Sequence, residues 1–317
     1  MSAVANRTGS IGRDDVLCVL CVRNEMQRLP HFLEHYRKLG VAHFLIVDNG
    51  SHDGTSQYLS QADDVSLWKT DMPYKPARYG MDWLNWLLLR YGRGHWCLSV
   101  DADEVLLYPD HEAHALPALT RWLDAHDIPA MGALMLDLYP KGSPDRQTYV
   151  PGQAPWSVLN WFDAFGYWSV RHRKTGHLKV QGGIRARKFF ALAANRAPTL
   201  NKIPLVRWRW GYVYMNSTHN MLPPELEAQP PDRAPSGVLL HTKFLPGVSQ
   251  RAVEERDRGQ HFSDARAYSD YYASLATSPD LWDSSATEFE NAKQLEDLGL
   301  LFRGDWGGQG KGQSHCE

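Results

Sequence analysis

Alternating apolar and polar segments dominate the first half of the chain. The run VLCVLCV at 16–22 is continuously apolar, as in a strand buried on both faces of a parallel sheet. After a polar turn, a helix with one apolar face begins at Pro30 and ends at Gly40. The order repeats, with strands predicted at 43–48, 65–69, 96–100 and 131–138 and helices at 55–62, 79–91 and 116–126. This alternation predicts an α/β fold with an open, mostly parallel twisted sheet flanked by helices.

The periodicity weakens beyond about residue 150, where tryptophan and tyrosine become dense. Charged and apolar positions interleave again over 251–302, which indicates a helical C-terminal extension. The predicted organisation is a disordered N-terminus at 1–14, a catalytic domain at 15–250, a helical extension at 251–304 and a disordered tail at 305–317.

Composition adds mainly exclusions. With 34 basic and 36 acidic residues the net charge is -2, so nothing in the total charge favours nucleic acid as a partner. Four cysteines do not make a disulfide framework, which fits a reducing cytoplasm. Residues 1–14 lack an apolar leader, and no apolar run is long enough to cross a bilayer. We therefore expect a cytoplasmic protein, with peripheral attachment to the inner face of a membrane left open.

Polar clusters follow three of the predicted strands. They are Arg23-Asn24-Glu25, Asp48-Asn49-Gly50-Ser51 and Asp101-Ala102-Asp103. In an open α/β sheet the ligand binds at the carboxyl ends of the strands, where paired carboxylates can face a divalent cation that bridges two phosphates. The alternatives are a solvated acidic turn at Asp101 and an ordinary Asx turn at Asp53. Coincidence becomes the weaker explanation because all three clusters follow strands.

The segments CVRNE, FLIVDNGSHDGT and WCLSVDADEVL occur in this order between Val16 and Leu107. Together they resemble family-2-type glycosyltransferases with the GT-A fold. Two later segments, GGIRARKF at 182–189 and LLHTKFL at 239–245, are similar to a bacterial branch of that group.

This resemblance implies a nucleotide-diphosphate-sugar donor, with uridine as the expected nucleoside, and a divalent metal, Mn²⁺ or Mg²⁺. It places Asp48 at the base, and Lys243 could meet the diphosphate as charge develops on it. The predicted donor contacts are Arg23, Glu25, Asp48, Arg78, Asp101 and Lys243. The predicted metal ligands are Asp101, Asp103 and His241. For His241 the alternative is a partly buried histidine in an apolar strand.

A strongly basic segment separates Asp163 from Glu225, with no acidic residue between them. We predict that Arg185, Arg187 and Trp168 contact an anionic acceptor, the two arginines lying on one strand face. The alternative is that acids elsewhere in the fold pair with these cations.

An inverting transfer needs a base that deprotonates the acceptor hydroxyl, whereas a retaining one does not. Asp163 is the first candidate because its aromatic neighbours would desolvate the carboxylate and make it more basic. Asp137 is the second candidate and Glu225 the third. For Asp163 the alternative is a helix cap.

The resulting prediction is a metal-dependent, hexosyltransferase-like enzyme acting on a glycan or lipid-linked, anionic acceptor in surface polysaccharide assembly. A sugar-phosphate nucleotidyltransferase is the alternative enzyme, although no glycine-rich phosphate loop follows the first strand. A non-catalytic carbohydrate-binding protein of the same fold is the other alternative.

Overall fold

The computed structural model describes residues 1–171, 177–227, 233–259 and 265–307. Its strands are β1 (Ser2–Ala5), β2 (Val16–Val22), β3 (Val41–Asp48), β4 (Val65–Lys69), β5 (Trp96–Ser99), β6 (Glu104–Leu107), β7 (Ala130–Asp137), β8 (Trp161–Phe162), β9 (Trp168–Arg171), β10 (Leu178–Gln181), β11 (Asn201–Arg207), β12 (Val213–Tyr214), β13 (Met221–Leu222), β14 (Gly237–His241) and β15 (Thr287–Glu288). Its helices are α1 (Leu29–Lys38), α2 (Thr55–Ser60), α3 (Met81–Leu87), α4 (Leu116–Ala125), α5 (Val248–Arg258), α6 (Ala265–Leu275) and α7 (Ala292–Asp297).

One nine-stranded sheet organises the fold, in the order β1-β4-β3-β2-β5-β11-β7-β14-β6. The pairings β2 with β3, β2 with β5, β3 with β4 and β7 with β14 are parallel. The strands β1, β11 and β6 run in the opposite direction to their neighbours. Six of the nine strands therefore point the same way, and the predicted α/β class with a mostly parallel sheet is confirmed.

Strand β2 shows why its sequence has no polar alternation. Cys18 and Leu20 belong to the core under helix α1, whereas Leu17 and Val19 belong to the core under helix α3. Successive side chains of a strand point to opposite faces, so a strand with a helix layer on each face is apolar throughout. A third core joins β14 and the end of β7 to helices α5, α6 and α7.

The two ends of the chain differ from the prediction. Residues 1–14 were expected to be disordered, but Ser2 and Ala3 pair with Lys69 and Trp68 of β4, extending the sheet at its edge. The edge of β4 offers unpaired backbone groups, and this pairing satisfies them. Of the predicted disordered tail, residues 308–317 lie outside the described residues, whereas Trp306 packs in the core with its indole nitrogen bonded to Pro109 O at 2.8 Å. No helix within the described ranges is long and apolar enough to cross a bilayer.

Candidate active site at the carboxyl edge of the sheet

A cleft of about 550 Å³ lies at the carboxyl ends of the parallel strands. Strand β2 leads into Arg23 and Glu25, β5 into Asp101, and β14 ends at His241. These four residues line the cleft together with Asp103, Glu104, Lys202, His219, Lys243 and Arg258. The strand order thus brings to one place side chains that are more than two hundred positions apart in the sequence.

A chain of charged contacts begins at Asp103. Its Oδ2 lies 3.1 Å from Nε2 of His241, and Nδ1 of that ring lies 2.5 Å from Oδ1 of Asp137. The other oxygen of Asp137 accepts from Nε of Arg185 at 2.7 Å. The register explains the contact, because His241 pairs with Asp137 of parallel β7 and with Glu104 of antiparallel β6. The carboxylate behind the ring fixes the orientation of the imidazole and directs Nε2 toward Asp103.

The charges of these groups support one another. Burial would raise the pKa of Asp103, but the nearby charges of His241 and Arg28 outweigh it and hold that pKa well below its usual value. Burial would lower the pKa of His241, but Asp103 and Asp137 outweigh it and raise that pKa. Both shifts favour the charged forms of the two groups, because each stabilises the other across the contact.

Asp101 has a different partner. Its Oδ2 lies 2.7 Å from Nζ of Lys202, and the same ammonium lies 2.5 Å from Oε1 of Glu104, which is fully buried. Burial alone would lower the pKa of Lys202, but the charges of these two carboxylates outweigh the effect of burial, and the pKa is raised. Lys202 comes from β11, the antiparallel strand between β5 and β7.

The predicted metal ligands are therefore only partly brought together. Asp103 and His241 converge, whereas the carboxylate of Asp101 is bonded to Lys202. Within the described part of the chain, no three His, Cys, Asp or Glu side chains are arranged to hold a metal ion. Of the three predicted ligands, only the carboxylate of Asp103 and the imidazole of His241 lie in contact with each other.

The second strand-end motif does not present its aspartate to the cleft. Asp48 is fully buried, and its Oδ1 accepts from the backbone nitrogen of Ser51 at 3.0 Å and from the Ser51 hydroxyl at 2.6 Å. Its Oδ2 is buried without a hydrogen-bond partner among the described residues. The neighbouring Asn49 lines the cleft instead, with its backbone oxygen bonded to Arg23 and its side-chain oxygen to Arg258.

The first two motifs are joined to each other. The backbone nitrogen of Glu25 donates to the hydroxyl of Thr55 at 2.9 Å, and that of Met26 donates to Asp53 at 3.0 Å. The carboxylate of Glu25 forms an ion pair with Arg28 at 2.7 Å. Asp53 and Thr55 thus hold the turn after β2. The Oδ1 of Asp53 also accepts from the backbone nitrogen of Thr55 at 3.0 Å, which is the Asx turn that the sequence left as the alternative.

Arg78, a predicted donor contact, does not line the cleft. Its Nε donates to Asp82 at 2.7 Å, its NH1 donates to the backbone of Met215 at 3.2 Å, and its backbone has a φ of 49°. Nearby Tyr74 and Tyr79 do line the cleft.

The two arginines predicted to bind an acceptor pair instead with acids elsewhere in the fold, which was the alternative interpretation of the basic segment. Arg185 and Arg187 do not share a strand face, because residues 185–189 form a single π-helical turn. Arg185 pairs with Asp137, and Arg187 with Asp163 and Asp283. Trp168 lies in β9, outside the cleft, on the wall of a separate apolar pocket. Arg173 and Lys174 of this segment lie outside the described residues.

The first two candidates for a catalytic base, Asp163 and Asp137, form hydrogen bonds inside the protein. Asp163 accepts from the hydroxyl of Tyr139 and from Nε of Arg187, the latter at 2.9 Å, and it does not line the cleft. Asp137 is 4% exposed, with its two oxygens on His241 and Arg185. Its position suits orientation of His241 rather than contact with an acceptor hydroxyl. Glu225, the third candidate, is exposed in the turn at Pro224–Glu227.

Two cleft cations carry no signal in the sequence. Lys202 is one cation among many in the basic segment. Arg258 lies at the end of α5 and reaches Asn49 at 2.9 Å across 209 positions of sequence. Only the tertiary fold brings these cations to the strand ends.

Comparison with known proteins gives limited similarity. No family model matches the chain, and no curated protein matches it. Mannosyl-3-phosphoglycerate synthase from Rubrobacter xylanophilus matches with 18% identity and a TM-score of 0.28, covering 42% of this chain and 46% of that one. Glucosyl-3-phosphoglycerate synthase from Mycobacterium tuberculosis, in complex with Mn²⁺, uridine diphosphate and glucosyl-3-phosphoglycerate, matches with 17% identity and a TM-score of 0.26, covering 41% of this chain and 46% of that one.

A 4-diphosphocytidyl-2C-methyl-D-erythritol synthase matches with 16% identity and a TM-score of 0.28, covering 44% of this chain and 67% of that one. The chain thus spans less than half the length of the two sugar-phosphoglycerate synthases. At these TM-scores the similarity adds nothing to the strand order and the cleft described above.

Proposed function

We propose that this chain is a glycosyltransferase that uses a nucleotide-diphosphate sugar, with uridine as the nucleoside, and a divalent metal. One observation carries the proposal: Asp103 Oδ2 and His241 Nε2 approach to 3.1 Å at the carboxyl edge of the sheet, with Asp137 behind the ring. A carboxylate and an oriented imidazole suit Mn²⁺ or Mg²⁺ beside a diphosphate. A bound cation would neutralise the charge that develops on the departing diphosphate.

The other cleft residues take roles that follow from their contacts. Arg23, Asn49 and Arg258 form a polar wall beside the ends of β2 and β3, where the nucleoside would bind. Lys243 faces the same cleft and would contact the diphosphate. Asp101 would accept from a ribose or sugar hydroxyl while Lys202 holds its carboxylate in place.

Titration calorimetry with uridine diphosphate, with and without Mn²⁺, tests the donor site. We expect binding that requires the metal in the wild type and is weakened at least about a hundredfold in Asp103→Asn, since second-shell partners alone are worth 10 to 100-fold in metal affinity. Glu112→Gln, an exposed carboxylate near the end of β6, is the matched control and should bind normally. Equal binding by wild type and Asp103→Asn would refute the assignment.

The products distinguish the alternative functions. With a labelled nucleotide sugar and Mn²⁺ but no added acceptor, a glycosyltransferase should slowly transfer the sugar to water and release free sugar and nucleoside diphosphate. Release of pyrophosphate from a nucleoside triphosphate and a sugar phosphate would identify a nucleotidyltransferase. Binding of a nucleotide sugar without either product would identify a carbohydrate-binding protein.

A further inference from the structure

A second cavity, of about 580 Å³, lies beside the cleft under helix α5. We call it the α5 cavity. It is lined by the turn after β2, by α5 and by Tyr272 and Leu275 of α6. Asp103 and Lys243 line both the α5 cavity and the cleft. A ligand in the α5 cavity would therefore adjoin the place where Asp103 meets His241.

Two cations of the α5 cavity have no acidic partner among the described residues. Arg251 donates to three neutral oxygens: Gln27 Oε1 at 2.9 Å, Leu245 O at 2.8 Å and Pro246 O at 3.2 Å. The ammonium of Lys243 makes no hydrogen bond or ion pair with any described residue and lies 5.9 Å from the centre of the Tyr271 ring.

The acids around the α5 cavity are bonded to other groups. Glu25 pairs with Arg28 at 2.7 Å, Glu255 lies 3.5 Å from Arg258, and Asp103 contacts His241. None of these carboxylates forms an ion pair with Arg251 or Lys243.

This arrangement costs free energy. Burial, followed by repulsion from Arg28, lowers the pKa of Arg251 to about 10. A half-buried cation that forms no ion pair is unfavourable, and an anionic ligand would supply one.

Part of the lining of the α5 cavity is apolar. Val248, Ala252 and Leu275 are 2%, 2% and 1% exposed, respectively. A ligand that fits has one anionic group at the cations and a small body against this wall, and a hydroxyl of that body can point toward Asp103.

We propose that the α5 cavity is the acceptor site and takes a small acidic acceptor, whose phosphate or carboxylate group is bound by Arg251 and Lys243. The assignment of the α5 cavity to the acceptor rests on the proposed function. The binding of an anion there does not depend on that function. It also moves the anionic acceptor away from Arg185 and Arg187, whose charges are paired internally.

Inorganic phosphate and malonate are suitable probes, since one presents phosphate oxygens and the other carboxylates. Each is titrated into the full chain saturated with uridine diphosphate and Mn²⁺, so that the cleft is occupied. We expect saturable binding of at least one probe, and the tighter one identifies the anionic group of the acceptor.

Arg251→Gln should weaken that binding about tenfold or more, because charge-assisted hydrogen bonds are lost, and Arg251→Lys should restore part of it. The matched control is Arg256→Gln, on the same helix, exposed, paired with Asp257 and outside the cavity. Lys243→Gln is the second variant and decides the question if Arg251→Gln does not fold. Because Lys243 also faces the diphosphate, the affinity of this variant for uridine diphosphate is measured first, and the probes are titrated at a nucleotide concentration that saturates it.

The outcomes are separable from those of the donor test. Uridine diphosphate binding without binding of either probe overturns the anion site and leaves the glycosyltransferase proposal intact. Probe binding that Arg251→Gln and Lys243→Gln leave unchanged also overturns it. Probe binding that both variants weaken, in a protein that binds no nucleotide, supports the anion site and refutes the proposed donor.

Discussion

Two groups of cations in this molecule look alike in the sequence and differ in the fold. Arg185, Arg187 and Lys202 of the basic segment each pair with carboxylates from distant parts of the chain. Lys243 and Arg251, which lie outside the basic segment, have no carboxylate partner among the described residues. An excess of basic residues in a segment therefore does not locate an anion site. What matters is whether the tertiary structure supplies each cation with a counter-ion.

The largest effect should come from Lys202, the most deeply buried of the paired cations. Lys202→Met leaves Glu104 and Asp101 without their shared counter-ion, which should lower the free energy of unfolding by about 4 kcal/mol. Urea unfolding measures it. The double variant Lys202→Met with Glu104→Gln should recover part of the loss because no charge is then buried alone. A loss below about 1 kcal/mol would show that the pair is not formed.

Arg185→Met should lower the free energy of unfolding by about 3 kcal/mol, because Asp137 loses a buried partner and keeps only His241. Affinity for inorganic phosphate should stay unchanged, since Arg185 is not part of the α5 cavity. Lys188→Met, in the same turn but exposed, is the control and should change stability by less than about 0.5 kcal/mol. Weaker phosphate binding with normal stability would return Arg185 to the acceptor site.

A paired cation at the surface should matter less. Hydrogen bonds from Arg303 hold the pKa of Asp110 below its usual value. The pKa of Asp110 is lower in the folded protein than in the unfolded chain, where it is about 3.9. The ion pair therefore contributes its full stabilisation above that unfolded pKa, and the stabilisation is lost as the pH falls through the folded pKa. Arg303→Gln should lower the free energy of unfolding by about 0.5 kcal/mol at pH 7 and by less near pH 2, as measured by urea unfolding at both pH values.

Arg121→Gln is the control for that pH series, because Arg121 is exposed and donates to the backbone oxygen of Pro117 rather than to an acid. Its effect should be the same at both pH values. An Arg303→Gln loss of equal size at pH 2 and pH 7 would exclude the ion pair as its cause.

The smallest effect should come from Lys243→Met. No ion pair with the described residues is lost, so the free energy of unfolding should change by less than about 0.5 kcal/mol or rise. The same exchange at Lys202 is the comparison, and urea unfolding measures both. A loss above about 2 kcal/mol at Lys243 would mean that this cation has a structural partner and would remove the contrast between the two groups.

The sequence predicted the parallel half of the sheet well, because that signal is local. Continuous apolar runs such as Val16–Val22 require helices on both faces, and the predicted strand 65–69 is β4 itself. The antiparallel strand β11 was not predicted. Its position between β5 and β7 depends on the long-range pairing of Leu205 with Leu98 and with Met131, which no local pattern encodes.

In the candidate site, too, some features could be predicted from the sequence and others could not. The positions of Arg23, Glu25, Asp101, Asp103 and His241 at the strand ends follow from local pattern and from the resemblance, and all five line the cleft. The burial of Asp48 and the hydrogen bonds of Asp163 inside the protein could not be predicted. Each depends on which groups the tertiary structure places beside the carboxylate.

The sequence by itself determined where strands end and which charged side chains stand there, since hydrophobic periodicity and turn chemistry act over a few residues. Tertiary structure alone decided which of those charges are paired. Ion pairs form between groups that are far apart in the chain, and their strength depends on burial, which a linear sequence does not contain. For this reason Lys202 is neutralised by Asp101 and Glu104, whereas Arg251 has only neutral oxygens to bind.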